Sequence, residues 1–283
     1  MFTNVWNSVY ASVCQLKFIN ERGVTIDSLT GFKVNKHLVT SQHAFCIKKA
    51  HKVEITFVDA DANTVTASTR IPYVEFVNQH RIGVAEDAGH HAIFDIALQE
   101  FKDIPSLKLS QSRNFNIGTQ VAFLSFSCGY SNLAIKTGII SSVYSNADGL
   151  RFIQFDGPVD CGNSGAPLID PQTNEVMGIV TRRNTPAAKV HEQLMQIVSD
   201  NLVELKKVES SVKFGDIDPI QVLIANQNQL KHLAKIIYRH STHSVSHAVT
   251  LDKIISFFSY NTHLISNAGV PLVKNNELDS FIG

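Results

Sequence analysis

This 283-residue chain has no excess charge of either sign, since 25 Lys and Arg residues balance 25 Asp and Glu residues. That balance removes the global electrostatic reason to expect nucleic acid or an anionic membrane as partner. No apolar run is long enough to cross a bilayer, so no membrane partner is expected. Met1 to Tyr10 has no basic stretch followed by an apolar core, and no secretory leader is expected there. The four cysteines, Cys14, Cys46, Cys128 and Cys161, make no CxxC pair, which argues against a structural zinc site and a disulfide scaffold. Free thiols in a reducing cytoplasm are the expectation, although an even count leaves two disulfides formally possible. Internal repeats and low-complexity linkers are also missing, so the segments should pack together rather than hang on tethers.

What is present is enough apolar sequence, 44 % of residues with only 18 % charged, for one sizeable core and a second small unit. The first two hundred residues read as short strands. Val13 to Phe18, Thr30 to Val39 and Val53 to Val58 alternate with a period of two, and further strand candidates run over Thr64 to Thr69, Ala92 to Glu100, Thr119 to Ser125, Ala134 to Val143, Phe152 to Phe155 and Glu175 to Thr181. Such spacing indicates an all-β barrel or sandwich. After Pro186 the period changes to 3.6. Ala187 to Val208 and Pro219 to Tyr238 read as helices, the second with Asp216 or Asp218 as its N-cap and Pro219 in its first turn. Leu251 to Phe258 is a shorter third helix, and the tail from Asn261 reads as irregular. The expected division is a β domain over 1–200 and a helical C-terminal extension over 201–283.

The candidate chemistry centres on Asp160 to Leu168, where Ser164 stands between Gly162 and Gly165 directly after an extended apolar run. A nucleophile and its oxyanion donors must share one tight turn, which glycines permit; an ordinary glycine-serine turn is the plainer alternative. His43 follows the apolar segment Leu38 to Thr40, and an imidazole titrates near neutrality as a general base must. Asp95 is the single acid inside Ala92 to Leu98, where a lone carboxylate is costly unless hydrogen-bonded or paired. Beside a histidinium it would stay ionised and orient the base. His240, His243 and His247 are spaced as metal ligands, but no neighbouring cysteine or carboxylate completes a set, so no metal and no cofactor are expected.

The order His43, Asp95, Ser164, each beside a strand, resembles the chymotrypsin-like serine peptidase superfamily and within it the HtrA-type and bacterial trypsin-like peptidase domains. The resemblance rests on Gly31 to His43, Phe94 to Leu98, Ile117 to Val121, Thr137 to Ser141, Ile153 to Asp156, Gly162 to Leu168, and the closing segment Asp170 to Thr181. It implies a mainly β, chymotrypsin-like double β-barrel with a cleft between the barrels, ahead of the helical extension. It also implies that Ser164 attacks, His43 shuttles the proton, Asp95 sets the histidine tautomer, and the Gly162 and Ser164 amides form the oxyanion hole.

Departures from the pattern carry their own expectations. Asn163 stands where secreted trypsins have an aspartate that receives a freshly cut terminal amine, so activation by N-terminal cleavage is not expected. Neither Cys46 nor Cys161 sits in a trypsin disulfide position, and no PDZ-like module follows the barrels. By analogy the substrate pocket is lined by Pro158, Thr181, Arg182 and Arg183, with Pro158 where trypsin keeps its pocket aspartate. Protein or peptide substrates are implied, with a regulatory protein docking on the C-terminal helices. The competing function is a catalytically silent trypsin-like fold that acts as a protein-binding module.

Overall fold

The computed structural model describes residues 1–78, 81–84, 92–95, 99–147, 149–181, 186–211, 214–215, 217–240 and 245–260. The N-terminal half builds helix α1 (Phe2–Val9), strands β1 (Val13–Ile19), β2 (Thr25–Val34), β3 (His37–Thr40), β4 (Lys52–Val58) and β5 (Val65–Pro72), helix α2 (Tyr73–Asn78), and strands β6 (Arg81–Val84) and β7 (Ala92–Asp95). These strands form one antiparallel sheet in the order β5-β4-β1-β2-β3-β7-β6. The alternation from Thr30 to Val39 divides between β2 and β3 because Asn35 turns the chain with φ 58°. Asparagine tolerates that left-handed conformation better than other side chains do.

The chain from Gln120 onward supplies β8 (Gln120–Phe126), β9 (Leu133–Ser145), β10 (Arg151–Asp156), β11 (Pro167–Ile169) and β12 (Val176–Val180). A final strand, β13 (Val245–Thr250), lies between β10 and β12 and closes a six-stranded barrel in the order β10-β13-β12-β11-β8-β9. Closure explains why so distant a strand returns: without β13, β10 and β12 would each present an open row of backbone donors and acceptors. Helix α5 (Asp252–Tyr260) follows, opened by Asp252, whose carboxylate accepts from Thr250 Oγ1.

Helices α3 (Pro186–Lys207) and α4 (Pro219–His240) form a separate compact unit over 183–243, with Lys231 Nζ donating to Ser199 Oγ at 3.3 Å between them. Asp218 caps α4 through the Ile220 amide at 2.8 Å, and Pro219 occupies the first turn, where its missing N–H costs nothing. The two units divide the chain differently from the expected 1–200 and 201–283. The helices are inserted between two strands of the barrel, and the chain then returns to it. Among the described residues no helix is long and apolar enough to cross a membrane.

Three apolar clusters organise the β unit. One fills the seven-stranded sheet around Phe18, Leu29 and Phe57. One fills the barrel around Phe123, Ile153 and Phe155. The third joins sheet to barrel, with Phe32, Val34 and Val39 against Ala122, Leu124 and Phe126, and it takes in Val5 and Val9 of α1. Burying each such aromatic or branched side chain contributes about 2–3 kcal/mol before entropy is counted. The joining cluster sets β2 and β3 against the barrel, which positions the site.

Candidate active site

Ser164 lies on the turn that leads into β11, and it is 7 % exposed. Its flanking glycines are required by the backbone: Gly162 and Gly165 both have φ +88°. A Cβ on Gly162 would stand 2.6 Å from the Phe126 carbonyl oxygen, and one on Gly165 would stand 2.2 Å from the Thr30 carbonyl oxygen and 2.3 Å from Thr40 Oγ1. Both positions combine a left-handed conformation with a close backbone approach, so only glycine fits.

The loop is tied to the sheet through Thr30 of β2. The Thr30 amide donates to the Ser164 carbonyl at 3.0 Å, and the Thr30 hydroxyl donates to the Gly162 carbonyl at 2.7 Å. That hydroxyl also accepts from the Phe126 amide, while Thr40 Oγ1 donates to the Thr30 carbonyl at 2.6 Å. The Gly165 amide donates to the Val180 carbonyl at 2.7 Å, which fixes the far side of the turn to β12.

The peptide between Cys161 and Gly162 carries one of the two amides expected to form an oxyanion hole. The Cys161 carbonyl accepts from the Cys128 amide at 2.9 Å. In a trans peptide the N–H points opposite to the C=O, so this bond turns the Gly162 N–H away from Cys128. A disulfide between Cys128 and Cys161, with Cα atoms 5.3 Å apart, fastens the same two residues. Four free thiols were expected from the sequence, and the structure corrects this: Cys14 and Cys46 are free, and the other two are joined. Cysteines 33 residues apart in sequence meet because β8 and the nucleophile loop converge. With that bond the premise for a reducing cytoplasm falls away. Burial pushes the Cys14 thiol far up, so it stays protonated and inert.

Asn163, fully buried, anchors the loop through its side chain. Its Oδ1 accepts from the Asp160 amide at 2.8 Å and from Lys136 Nζ at 2.9 Å, and its Nδ2 donates to the Phe126 carbonyl at 3.0 Å. Lys136, on β9, also donates to the Pro158 carbonyl at 3.1 Å and to Ser127 Oγ at 3.3 Å. Burial pushes its ammonium below the ordinary lysine range, and the charge of Asp160 partly opposes this. Lys136 was not singled out from the sequence. An isolated lysine in a strand carries no motif, and only its alternation into the loop side of β9 could have signalled it.

His43 sits in a short 3-10 turn, Gln42–Phe45, directly after β3. Its Nδ1 lies 2.9 Å from Ser41 Oγ, and Ser41 is itself buried. The structure therefore brings the His43 segment and the Ser164 loop together, because Gly165 packs against Thr40 and the Ser41 amide. Asp95 is placed elsewhere. The register of β3 and β7 sets Asp95 opposite His37 and Ala92 opposite Thr40. At about 3.3 Å per residue this leaves the Asp95 backbone about 10 Å along the strand from the end that leads to His43.

On the substrate side, Pro158 is exposed at the loop surface and Gly157 is held by Ser246 Oγ of β13, which donates to its carbonyl at 2.7 Å. Thr181 is buried, with its amide donating to the His247 carbonyl at 3.0 Å. Arg182 and Arg183 lie outside the described residues. Of the spaced histidines, His247 is in β13 beside Tyr144, whose hydroxyl is 3.2 Å from its Nδ1; His243 lies outside the described residues.

A family model described as the trypsin-like peptidase domain matches residues 29–179, more than half of the chain, and the chain belongs to that family. It is 36 % identical over 90 residues to a probable periplasmic serine endoprotease, DegP-like, of Pseudomonas fluorescens, a match covering 30 % of this chain and 18 % of that protein. Among solved structures, the HtrA-type protease AlgW with tripeptide is similar with a TM-score of 0.50 and 21 % identity, over 64 % of this chain and 54 % of that one. Deg5 matches 64 % of this chain and 84 % of its own with a TM-score of 0.48 and 20 % identity. The chain thus spans less than a fifth of the DegP-like relative and about half of AlgW. The likeness to AlgW bears on the fold.

Proposed function

We propose that this protein is a serine endopeptidase that cleaves protein or peptide substrates through an acyl-enzyme. The observation that carries the proposal is the Ser164 turn: a nucleophile between two left-handed glycines, its carbonyl bonded to Thr30, packed against the strand end that leads into His43. In this reading Ser164 Oγ attacks the scissile carbonyl and His43 takes its proton, then returns it to the leaving amine. The Gly162 and Ser164 amides receive the developing oxyanion; one such donor is worth about 3 kcal/mol in the transition state. Asp95 is the proposed orienting acid, supported by its place in Phe94 to Leu98. The pocket wall comprises Pro158 and Thr181, with Arg182 and Arg183 completing it.

A fluorophosphonate probe tests the assignment. Folded protein is expected to label on Ser164, Ser164→Ala is expected to abolish labelling, and peptide hydrolysis should fall by about 10⁶-fold in that variant. The register that sets Asp95 opposite His37 favours the second reading, a catalytically silent binding module. Absence of labelling in folded wild-type protein would weigh against the peptidase reading.

A further inference from the structure

We propose that Lys136 is the positioning residue of the nucleophile loop, an internal cation that holds the oxyanion-forming peptides in place; this rests on the peptidase reading above. Asn163 directly precedes Ser164 and is completely buried. A primary amide accepts two hydrogen bonds at its oxygen and donates two from its nitrogen. All four positions are occupied here. Oδ1 takes the Asp160 amide and the Lys136 ammonium, and Nδ2 gives to the Phe126 carbonyl at 3.0 Å and Ser127 Oγ at 3.4 Å.

The ammonium makes three contacts of its own, and they decide its role. An ammonium has three protons, and Lys136 directs them to Asn163 Oδ1, the Pro158 carbonyl and Ser127 Oγ. None is left to greet a substrate carboxylate, so the group positions rather than selects. Two of those acceptors, Pro158 and Asn163, stand on either side of Gly162. One charge therefore ties both ends of the segment whose middle presents an oxyanion donor. Asp160, on the nucleophile loop, acts electrostatically on this ammonium, and Phe123 of β8 lies beneath it with its ring centre 6.0 Å away. Removing the charge leaves the buried Asn163 oxygen and the Pro158 carbonyl each short of a donor. The segment then loses its fixed geometry, and a displacement of about 1 Å at such a site costs about 100-fold in rate.

The test uses the full chain and two independent readouts in Lys136→Met, which keeps the length of the side chain and removes its charge. The expected result is a kcat lower by about 100-fold with KM for a peptide substrate within about threefold, as befits an interaction realised in the transition state. Amide hydrogen exchange, read by mass spectrometry, is expected to accelerate over 157–165 and not over β1 to β5. Lys136→Arg, which keeps the charge, should recover most of kcat. Unchanged exchange over 157–165 together with unchanged kcat overturns the proposal while leaving the peptidase reading intact. If the wild type neither labels nor cleaves, accelerated exchange in 157–165 still supports the positioning role, and the peptidase reading alone fails. Should Lys136→Met not fold, Ser127→Ala takes its place: it removes a partner shared by Lys136 and Asn163, and no change in exchange over 157–165 counts against the proposal.

Discussion

The two halves of the site are built to different standards. The nucleophile loop is held by Thr30, Val180, Asn163, Lys136 and the Cys128–Cys161 bond, with two glycines in positions that no other residue could take. The proposed acid-base half comprises His43, at 2.9 Å from Ser41 in a turn after β3, and Asp95, which the β7 register sets at the other end of that strand. The difference teaches where each element of catalysis must be preformed. Oxyanion donors act only through fixed direction and must be set before substrate arrives. A general base tolerates a looser resting geometry that tightens in the substrate complex.

After the loss of Ser164 itself, the largest effect expected is on the acid, where the two halves can be told apart. A hydroxyl can align an imidazole but cannot balance the imidazolium that forms, whereas a carboxylate does both. Asp95→Asn should therefore lower kcat by about 10⁴-fold, and Ser41→Ala by less than about 10-fold. Steady-state hydrolysis of one peptide by both variants checks this. In the observed register, β7 would have to advance along β3 by three residues to set Asp95 opposite Thr40, the end of β3 that leads to His43. If Ser41→Ala has the larger effect, the observed register is the working one and Ser41 orients the base.

That contrast also explains what could be read without coordinates. The strands of the sheet and barrel were legible because alternation marks a half-buried strand, and α3 and α4 were legible from a 3.6 period with Asp218 and Pro219 at the entry to α4. Ser164 and His43 were legible as motifs. The hairpin at Asn35 was not, since a tight two-residue turn leaves the alternation on either side in phase. Strand β13 was not legible because it is six residues long and follows a 22-residue helix, and because Ala248 and Val249 are both buried, which breaks the alternation that marks a strand. The Cys128–Cys161 bond was out of reach, since no local pattern encodes a contact across 33 residues, and for Lys136 the alternation along β9 gave its side but not its partners.

A second way to break the comparison is to disturb the packing of the well-held half. Gly165→Ala forces a methyl against the Thr30 carbonyl at 2.2 Å and demands a left-handed alanine. The strain and the clash together should lower stability by about 3–5 kcal/mol, with chemical denaturation as the measurement. Thr30 of β2 cannot retreat, because its amide also bonds the Ser164 carbonyl and its hydroxyl the Gly162 carbonyl. Labelling of Ser164 should therefore fall even in the fraction that remains folded.

The smallest effect expected comes from the disulfide, and it measures how redundant the fastening is. Cross-linking residues separated by 33 positions removes chain entropy from the unfolded state worth about 3–4 kcal/mol. Replacing both Cys128 and Cys161 by serine avoids leaving a thiol beside the nucleophile, and it should cost about that much stability in a denaturant titration. The hydrogen bond from the Cys128 amide to the Cys161 carbonyl uses backbone atoms that the substitution keeps, and Asn163 retains its four partners. Activity per folded molecule should then stay within about threefold, because loop direction is set by groups that remain. A fall in kcat as large as that expected for Lys136→Met would reverse the ranking. It would make the covalent bond, rather than the buried amide and its cation, the element that sets the oxyanion peptides.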